Sequence, residues 1–254
     1  MEEDNKTVGI ASALLVLVLG GVFYYYKTSG SAPAAVPPAA QEPIAAQAPA
    51  SPGEALPKLE ESDAFVRGKA AALSSDPAFA AWLKTDDLLP RFAAAVNMIG
   101  KGKVPKDGLS FMAPHKKFKA RKRDELFFAD PATYARYDAA AGAVASIDAA
   151  AAANFFRSYR PLVQEAYESL GEKGDARSAI VAAAQELLSA PVAGPATALK
   201  EKGLVYAYVD DSLESRSPAQ KQLMRMGPKN EAKIQAKLRE LVAALGAPDS
   251  SAAR

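Results

Sequence analysis

The sequence predicts a mainly α-helical domain that follows an N-terminal apolar segment and a stretch rich in proline and alanine. Three observations predict it. Apolar side chains recur at three- and four-residue spacing over residues 59–245, as in amphipathic helices. Several of these runs begin with Asp or Ser next to Pro, the pattern of a helix N-terminus. Only residues 203–209 have the Val- and Tyr-rich composition of a strand, so we expect at most one small β-hairpin.

The N-terminal segment, residues 8–26, begins at Val8, ends at Tyr26 and contains no charged side chain. As a helix rising about 1.5 Å per residue it spans roughly 28 Å, close to the hydrocarbon thickness of a bilayer. We therefore expect a single transmembrane helix that anchors the chain in the cytoplasmic membrane. A cleaved signal peptide is the alternative, but the acidic start MEEDNK and the tyrosines that end the run fit it less well.

The flanking charges do little to determine the orientation of this helix across the membrane. Lys6 and Lys27 lie on opposite sides of it, so the positive-inside count is nearly balanced. We expect residues 1–7 to form a short cytoplasmic tail and the large domain to be periplasmic, because signal anchors with brief tails usually insert in this way.

A linker is predicted between the membrane segment and the domain. Residues 28–57 contain seven prolines and ten alanines. A segment of this composition cannot bury a core, so we expect it to be a disordered spacer. A specific docking site is the alternative, although no PxxP repeat with a basic partner supports it. Residues 246–254 are expected to form a disordered tail.

Two helices are predicted in the first part of the domain. Ser62 or Asp63 can cap the first helix. The pair Asp86 and Asp87 opens the second helix, whose sequence LLPRFAAAVNMI has one apolar face, and Gly100 stops it.

Three further helices are predicted in the middle of the domain. Asp130 and Pro131 open one of them. Asp148 opens a long apolar run that Pro161 should kink or divide. Residues 177–188 form the third.

The last helical unit has the clearest signature. Ser217 and Gln220 have the spacing of a capping box around Pro218. The helix should break at Gly227 and Pro228 and then restart. The restarted helix carries an apolar seam at positions i, i+4, i+7 and i+11, formed by Ile234, Leu238, Leu241 and Leu245.

The residue types leave little room for catalytic chemistry. The chain has one histidine, His115, and no cysteine. A zinc site of the usual kinds needs several such ligands. A Ser-His-Asp triad would have to use His115, which lies in a Pro- and Lys-rich loop. No glycine-rich phosphate-binding motif occurs. The sequence therefore predicts no catalytic residue, no metal and no cofactor.

Two aspartate pairs are the remaining acid-pair candidates. Asp86 and Asp87 are better interpreted as helix caps. Asp210 and Asp211 follow the predicted strand, where a turn or a cap is favoured over acid chemistry or cation binding.

A basic segment lies between Lys101 and Arg123, with nine Lys or Arg residues against one acid, Asp107. We predict a long loop. It is either a solvated connection or a surface for an anionic polymer or lipid headgroups, and nucleic acid is the least favoured ligand for a domain outside the cytoplasm. The candidate binding residues are Lys116, Lys117, Lys119, Arg121, Lys122 and Arg123.

Four segments together resemble a known family: LLPRFAAAVNMIGKGKVP, YARYD, PLVQEAYESLG and VYAYVDDSLESRSPAQKQLMRMGPKN. The chain resembles the bacterial envelope family called domain of unknown function 3014 (DUF3014), over most of residues 59–245. The resemblance implies the same plan of one anchor, one Pro/Ala-rich linker and one domain. It implies no activity. The Lys-dense loop and Asp211 depart from the family pattern.

The family motifs draw attention to two groups of polar residues. The first is Tyr134, Arg136, Tyr137 and Asp138. The second is Gln220, Lys221, Arg225 and Asn230. The two groups either line a binding groove or bridge helices as a buried polar network, and we favour the network.

These observations lead to one expected function and one rival. We expect a non-enzymatic binding or interaction module of the cell envelope, with an envelope protein or an anionic polymer as its partner. The rival is a hydrolase or transferase that uses carboxylates and tyrosines in a helical groove. A cleft that joins Asp210 or Asp211 to Tyr137 and Arg225, with a raised carboxyl pKa, would favour the rival.

Overall fold

The computed structural model describes residues 55–105 and 117–246. The predicted membrane helix, nearly all of the predicted linker, His115, Lys116 and the tail after residue 246 lie outside the described residues.

The described residues form ten α-helices, three short 3₁₀ helices and four strands. The α-helices are α1 Asp63–Ala70, α2 Pro77–Trp82, α3 Leu88–Gly100, α4 Asp138–Ala145, α5 Ala149–Ser158, α6 Arg160–Glu168, α7 Ala176–Leu188, α8 Asp211–Glu214, α9 Pro218–Arg225 and α10 Pro228–Gly246. The 3₁₀ helices are Leu59–Glu61, Ala71–Leu73 and Pro131–Tyr137. The strands are β1 Ala120–Arg123, β2 Leu126–Ala129, β3 Ala198–Lys202 and β4 Val205–Tyr208. The mainly helical class predicted from the sequence is confirmed.

The sheet is larger than the single hairpin that the sequence predicted. Its four antiparallel strands lie in the order β1-β2-β3-β4. The predicted strand is β4, but β1 begins inside the segment that we predicted as a loop. Asp124 adopts a left-handed conformation (φ 56°) at the turn, and Arg123 then pairs with Leu126. The prediction failed because β1 is mostly charged and exposed, so it lacks the alternating pattern of a half-buried strand.

The helix caps near the start of the domain differ from the prediction. Asp87 precedes α3 but makes no side-chain cap bond. Instead, the Asp63 carboxylate accepts from the Asp87 amide at 2.6 Å and from the Leu88 amide at 2.8 Å. Ser62 also fails to cap α1, because its hydroxyl donates to the Leu59 carbonyl. Asp63, in the first turn of α1, therefore caps a helix that begins 25 residues later.

The later helices begin and end near the Pro, Gly and capping residues that predicted their boundaries. The long run after Asp148 divides at Tyr159 into α5 and α6, with Pro161 in the first turn of α6. The Ser217–Gln220 capping box is present. Gly227, at φ +89°, separates α9 from α10. The Asp130–Pro131 start is also confirmed, although its first turns are 3₁₀ and become α-helical only in α4.

Three hydrophobic clusters hold these elements together. Two of them lie among the helices, where α3 packs against α6 and α7, and α10 packs against α4, α5 and α7. The third joins the inner face of the sheet to α9 through Leu199, Tyr208 and Met224. The helical part and the sheet therefore meet along α9.

No single helix within the described residues has both the length and the apolar composition needed to cross a membrane. One pair of helical segments, Pro131–Ala145 and Ala149–Ser158, meets those two criteria jointly, with a 62° bend between them.

Candidate functional site

Two features of the described residues are candidates for a site: a polar contact between the two family motifs and an apolar cavity among the helices. The polar contact forms where the 3₁₀ helix before α4 packs against α9 and α10. We call it the polar junction, and it consists of Tyr134, Tyr137, Asp138, Gln222 and Asn230.

Asn230 holds the centre of the polar junction. Its Nδ2 donates to Asp138 Oδ1 at 3.0 Å and to the Tyr134 carbonyl at 3.1 Å. Gln222 Nε2 donates to the Tyr137 hydroxyl at 3.0 Å. The sequence did not single out Gln222, because nothing local marks it as buried. Asn230 is 1% exposed and Tyr137 is also buried, so these bonds join protein groups and favour the network interpretation.

Two predicted arginines lie beside the junction. The Arg136 guanidinium lies 4.8 Å from the centre of the Tyr137 ring and 5.6 Å from that of Phe118. Burial lowers the pKa of Arg136, and the nearby Arg225 charge lowers it further. Arg225 donates to the Tyr206 carbonyl of β4 at 3.1 Å. Arg136 thus connects the junction to Phe118, just ahead of β1, and Arg225 contacts β4.

The other two predicted residues of the second group lie elsewhere. Gln220 Nε2 donates to the Glu186 carbonyl and to the Ser189 hydroxyl at the end of α7. Lys221 Nζ contacts the Glu214 carboxylate at 3.1 Å. They attach α9 to α7 and α8. The structure therefore bonds Asn230 to the first group and places the Arg225 charge near Arg136, but it does not bring Gln220 or Lys221 to that group.

A buried acid next to the junction was missed by the sequence analysis. Glu231 is 0% exposed, and neither of its carboxylate oxygens has a hydrogen-bond partner among the described residues. Burial raises the pKa of the Glu231 carboxyl to about 8. Burial also raises the pKa of the neighbouring Tyr208, and Glu231 contributes to that shift. The run NEAKIQAK has the polar composition of a solvent-exposed helix, so the sequence does not indicate that Glu231 is buried.

Except for Lys116, which lies outside the described residues, the basic candidate residues lie on and just before β1, at the edge of the sheet. Lys117 and Lys119 are exposed ahead of the strand. Arg121 pairs with Asp130 at 3.1 Å, whereas Arg123 lies 5.1 Å from the centre of the Phe128 ring. Lys122 contacts Glu125 at 4.0 Å and the Phe127 ring at 6.0 Å. The hairpin is therefore a basic surface that is partly neutralised by its own acids.

The apolar cavity has a volume of about 250 Å³ and lies among the helices. Every residue that lines it is Ala, Val, Leu, Ile, Phe or Trp. Its walls come from α1, α2, α3, α5, α7 and α10, with α4 and α6 contributing at the edges. Representative lining residues are Phe79, Phe92, Phe155, Ile180 and Leu241.

Small side chains explain why the helices leave this space. Ala70, Ala153, Ala183 and Ala184 are buried and line the cavity together with bulkier Leu and Phe residues. At α3 and α7 the backbones are already close, since a Cβ on Gly100 would lie 3.6 Å from the Ala183 amide nitrogen. The helices cannot close further there. The sequence indicates the apolar face of each helix, but it does not indicate that the packed faces leave a space between them.

Along the C-terminal half of α10 all the residues that line the cavity are only partly buried. Two arginines lie at this end. Arg177 Nη2 donates to the Leu245 carbonyl at 2.8 Å, and Arg157 Nη1 donates to the Ala244 carbonyl at 3.3 Å. The last turn of α10 is thus held by side chains from α5 and α7.

The family model described as protein of unknown function DUF3014 matches residues 88–242. The chain belongs to the DUF3014 family. The match begins at the first residue of α3 and ends within α10, so the DUF3014 region contains the polar junction, the sheet, Glu231 and most cavity walls. Neither the curated proteins nor the solved structures include a match to the chain. Within residues 55–105 and 117–246, no group of three His, Asp or Glu side chains is placed to hold a metal ion.

Proposed function

We propose that this DUF3014 protein is a cell-envelope binding module, anchored in the cytoplasmic membrane by residues 8–26, with its helical domain in the periplasm. The observation that supports binding is the cavity, because its lining offers hydrocarbon and no catalytic group. Such a space can hold an apolar ligand but cannot polarise or protonate one.

The size of the cavity makes apolar binding energetically substantial. Cavity volume in protein cores costs about 24 cal/mol per Å³, so filling about 250 Å³ with hydrocarbon is worth roughly 6 kcal/mol. That is comparable to the whole net stability of a small domain, about 5–15 kcal/mol. Association entropy offsets part of this gain, so we expect measurable but reversible binding.

The enzymatic alternative receives little support from the groups it needs. Hydrogen bonds from Ser212 hold the pKa of Asp210 below its usual range, and Asp210 caps α8. The Tyr137 hydroxyl accepts from Gln222, and Arg225 donates to a backbone carbonyl. Glu231 has the raised carboxyl pKa that a general acid needs, but its side chain is sealed from solvent. Binding is therefore the better-supported function.

A photoreactive alkyl probe tests the cavity in its native setting. The full chain is expressed in bacterial membranes, incubated with an alkyl diazirine, irradiated and mapped by mass spectrometry. We expect labels on cavity residues of α3, α5 and α10. The variant Ala153→Leu, which adds three carbons inside the cavity, should lose most of this labelling.

The matched control is Ala150→Leu, on the exposed side of the same helix, which should label like the natural chain. If Ala153→Leu lowers the thermal midpoint of the domain by many degrees, Ala184→Val on α7 replaces it. Labelling confined to residues 8–26, or equal labelling in all variants, would remove the cavity as the binding site.

A further inference from the structure

The cavity and Arg177 share one residue, Leu245 at the end of α10. The Leu245 side chain lines the cavity, and its carbonyl accepts from both Nε and Nη2 of Arg177, at 3.2 and 2.8 Å. Arg157 Nη1 donates to the preceding carbonyl, that of Ala244, and its Nη2 donates to Asn154 Oδ1. Two guanidinium groups therefore lie at the rim of an otherwise uncharged cavity.

Capping the C-terminus of α10 accounts for only part of the positive charge at this rim. Cations near a helix C-terminus are stabilised by the exposed carbonyls, and Arg157 and Arg177 satisfy that rule at the end of α10. Arg177 is exposed, however, and forms no ion pair with an acid among the described residues; the nearby Asp175 pairs with Arg160 at 2.9 Å. A guanidinium with only neutral acceptors can still bind a carboxylate through two parallel hydrogen bonds.

The cavity volume sets the length of the apolar part of a ligand. A protein cavity of about 150 Å³ lined by aliphatic and aromatic side chains takes up benzene, which has six carbons. By proportion, about 250 Å³ takes up about ten carbons. One acyl chain of medium length fits this volume, whereas the two chains of a membrane phospholipid exceed it.

Building on the proposed binding function, we infer that the ligand is a fatty acid whose tail fills the cavity and whose carboxylate binds Arg177, with Arg157 adding positive charge at the same end. The tail supplies the affinity, since each buried methylene contributes about fourfold. The arginines supply the selection of an anionic head over a neutral one. They are the specificity-determining residues of the site, and the alanine-lined walls set its chain length.

Competition with two ligands of the same chain length tests this inference. Membranes that contain the full chain are labelled with a photoreactive fatty acid, and decanoate or 1-decanol is added at known free aqueous concentration. We expect decanoate to displace the probe at a concentration at least tenfold lower than 1-decanol. The double variant Arg157→Gln/Arg177→Gln should bring the ratio of the two displacing concentrations close to one.

Two controls separate charge from structure. Arg157→Lys/Arg177→Lys keeps the charge and should keep most of the preference for decanoate. Arg239→Gln, on the exposed side of α10, should leave displacement of the probe by both ligands unchanged. Equal displacement by both ligands in the natural chain would overturn the fatty-acid inference but leave the cavity as an apolar site. Failure of both ligands, with no labels on the cavity walls, would overturn the proposed function itself.

Discussion

Gly227 lies directly against the ring of Tyr134, so closely that a Cβ on Gly227 would be 2.4 Å from Tyr134 Cγ. Gly227 also has a φ of +89°, a conformation that other residues adopt only with strain. The break between α9 and α10 and the 3₁₀ helix before α4 therefore depend on each other. This contact links the two family motifs that form the polar junction.

Gly227→Ala should be strongly destabilising, because it adds both a steric clash and a strained φ. We expect the free energy of unfolding to fall by about 2–4 kcal/mol, measured by urea denaturation followed by circular dichroism. Gly171→Ala is the matched control, since Gly171 also has a positive φ (+77°) but has no atom within 4 Å of the added Cβ. It should cost only about 1 kcal/mol, and equal losses in both variants would show that the Tyr134 contact adds nothing.

Tyr137→Phe should expose the cost of an unmatched donor inside the polar junction. It leaves the buried Gln222 amide without its acceptor, which costs about 1–3 kcal/mol of unfolding free energy. The double variant Tyr137→Phe/Gln222→Met removes both partners and should recover part of that loss. Tyr167→Phe, at another buried tyrosine, is the control and should have a small effect. If the stability losses of Tyr137→Phe and Gln222→Met simply add in the double variant, the hydrogen bond between them contributes nothing.

Glu231 should make the stability of the domain depend on pH. Its pKa is about 8 in the folded protein and near 4.5 in the unfolded chain, so the folded state binds more protons between these values. The contribution of Glu231 to stability is full below pH 4.5 and is lost as the pH rises through 8, with a slope of up to about 1.4 kcal/mol per pH unit. Urea denaturation from pH 5 to 9 should show this decline.

Glu231→Gln should flatten this part of the pH profile and be more stable than the natural chain at pH 9, because an amide cannot ionise. Glu165→Gln, at an exposed position of α6, is the matched control and should keep the natural pH profile. Parallel pH profiles for Glu231→Gln and the natural chain would contradict the assignment of the decline to this carboxyl.

The basic surface around β1 should contribute to retention on anionic vesicles at low salt. Its removal should weaken retention, and salt should weaken it in the natural chain, because exposed charges are screened over about 10 Å at 0.1 M salt. The residues to change to Gln together are Lys116, Lys117, Lys119, Arg121, Lys122 and Arg123. Changing Lys229 and Lys233, exposed on α10, is the control for total charge. Retention that changes with neither salt nor these substitutions would contradict anion binding by the hairpin. The charges would then serve only to protect the edge strand from pairing with other strands.

The orientation of the chain can be read with reporters fused after Arg254. Alkaline phosphatase, which folds only outside the cytoplasm, should be active, and a cytoplasm-dependent fluorescent protein should be dark. The reverse pattern would place the domain in the cytoplasm. Deleting residues 8–26 should release the protein from the membrane fraction, and retention without them would contradict the anchor.

The sequence by itself determined most helices and several of their ends. Ser217 and Gln220 cap α9 within three residues of each other, and Pro161 divides α5 from α6 through its own ring. These signals act between close neighbours in the chain, so a single sequence displays them.

The tertiary structure alone decided the cap on α3, the second hairpin, the burial of Glu231 and the cavity. Asp63 caps a helix 25 residues away, and the β1–β2 hairpin joins the sheet through Phe127, which pairs with Leu199 of β3. Glu231 is buried by the elements that happen to meet around it, and the cavity exists because Ala153 and Ala184 leave space among packed helices. Such contacts join residues far apart in the chain, and their energies depend on how whole surfaces fit, which no local pattern of residues records.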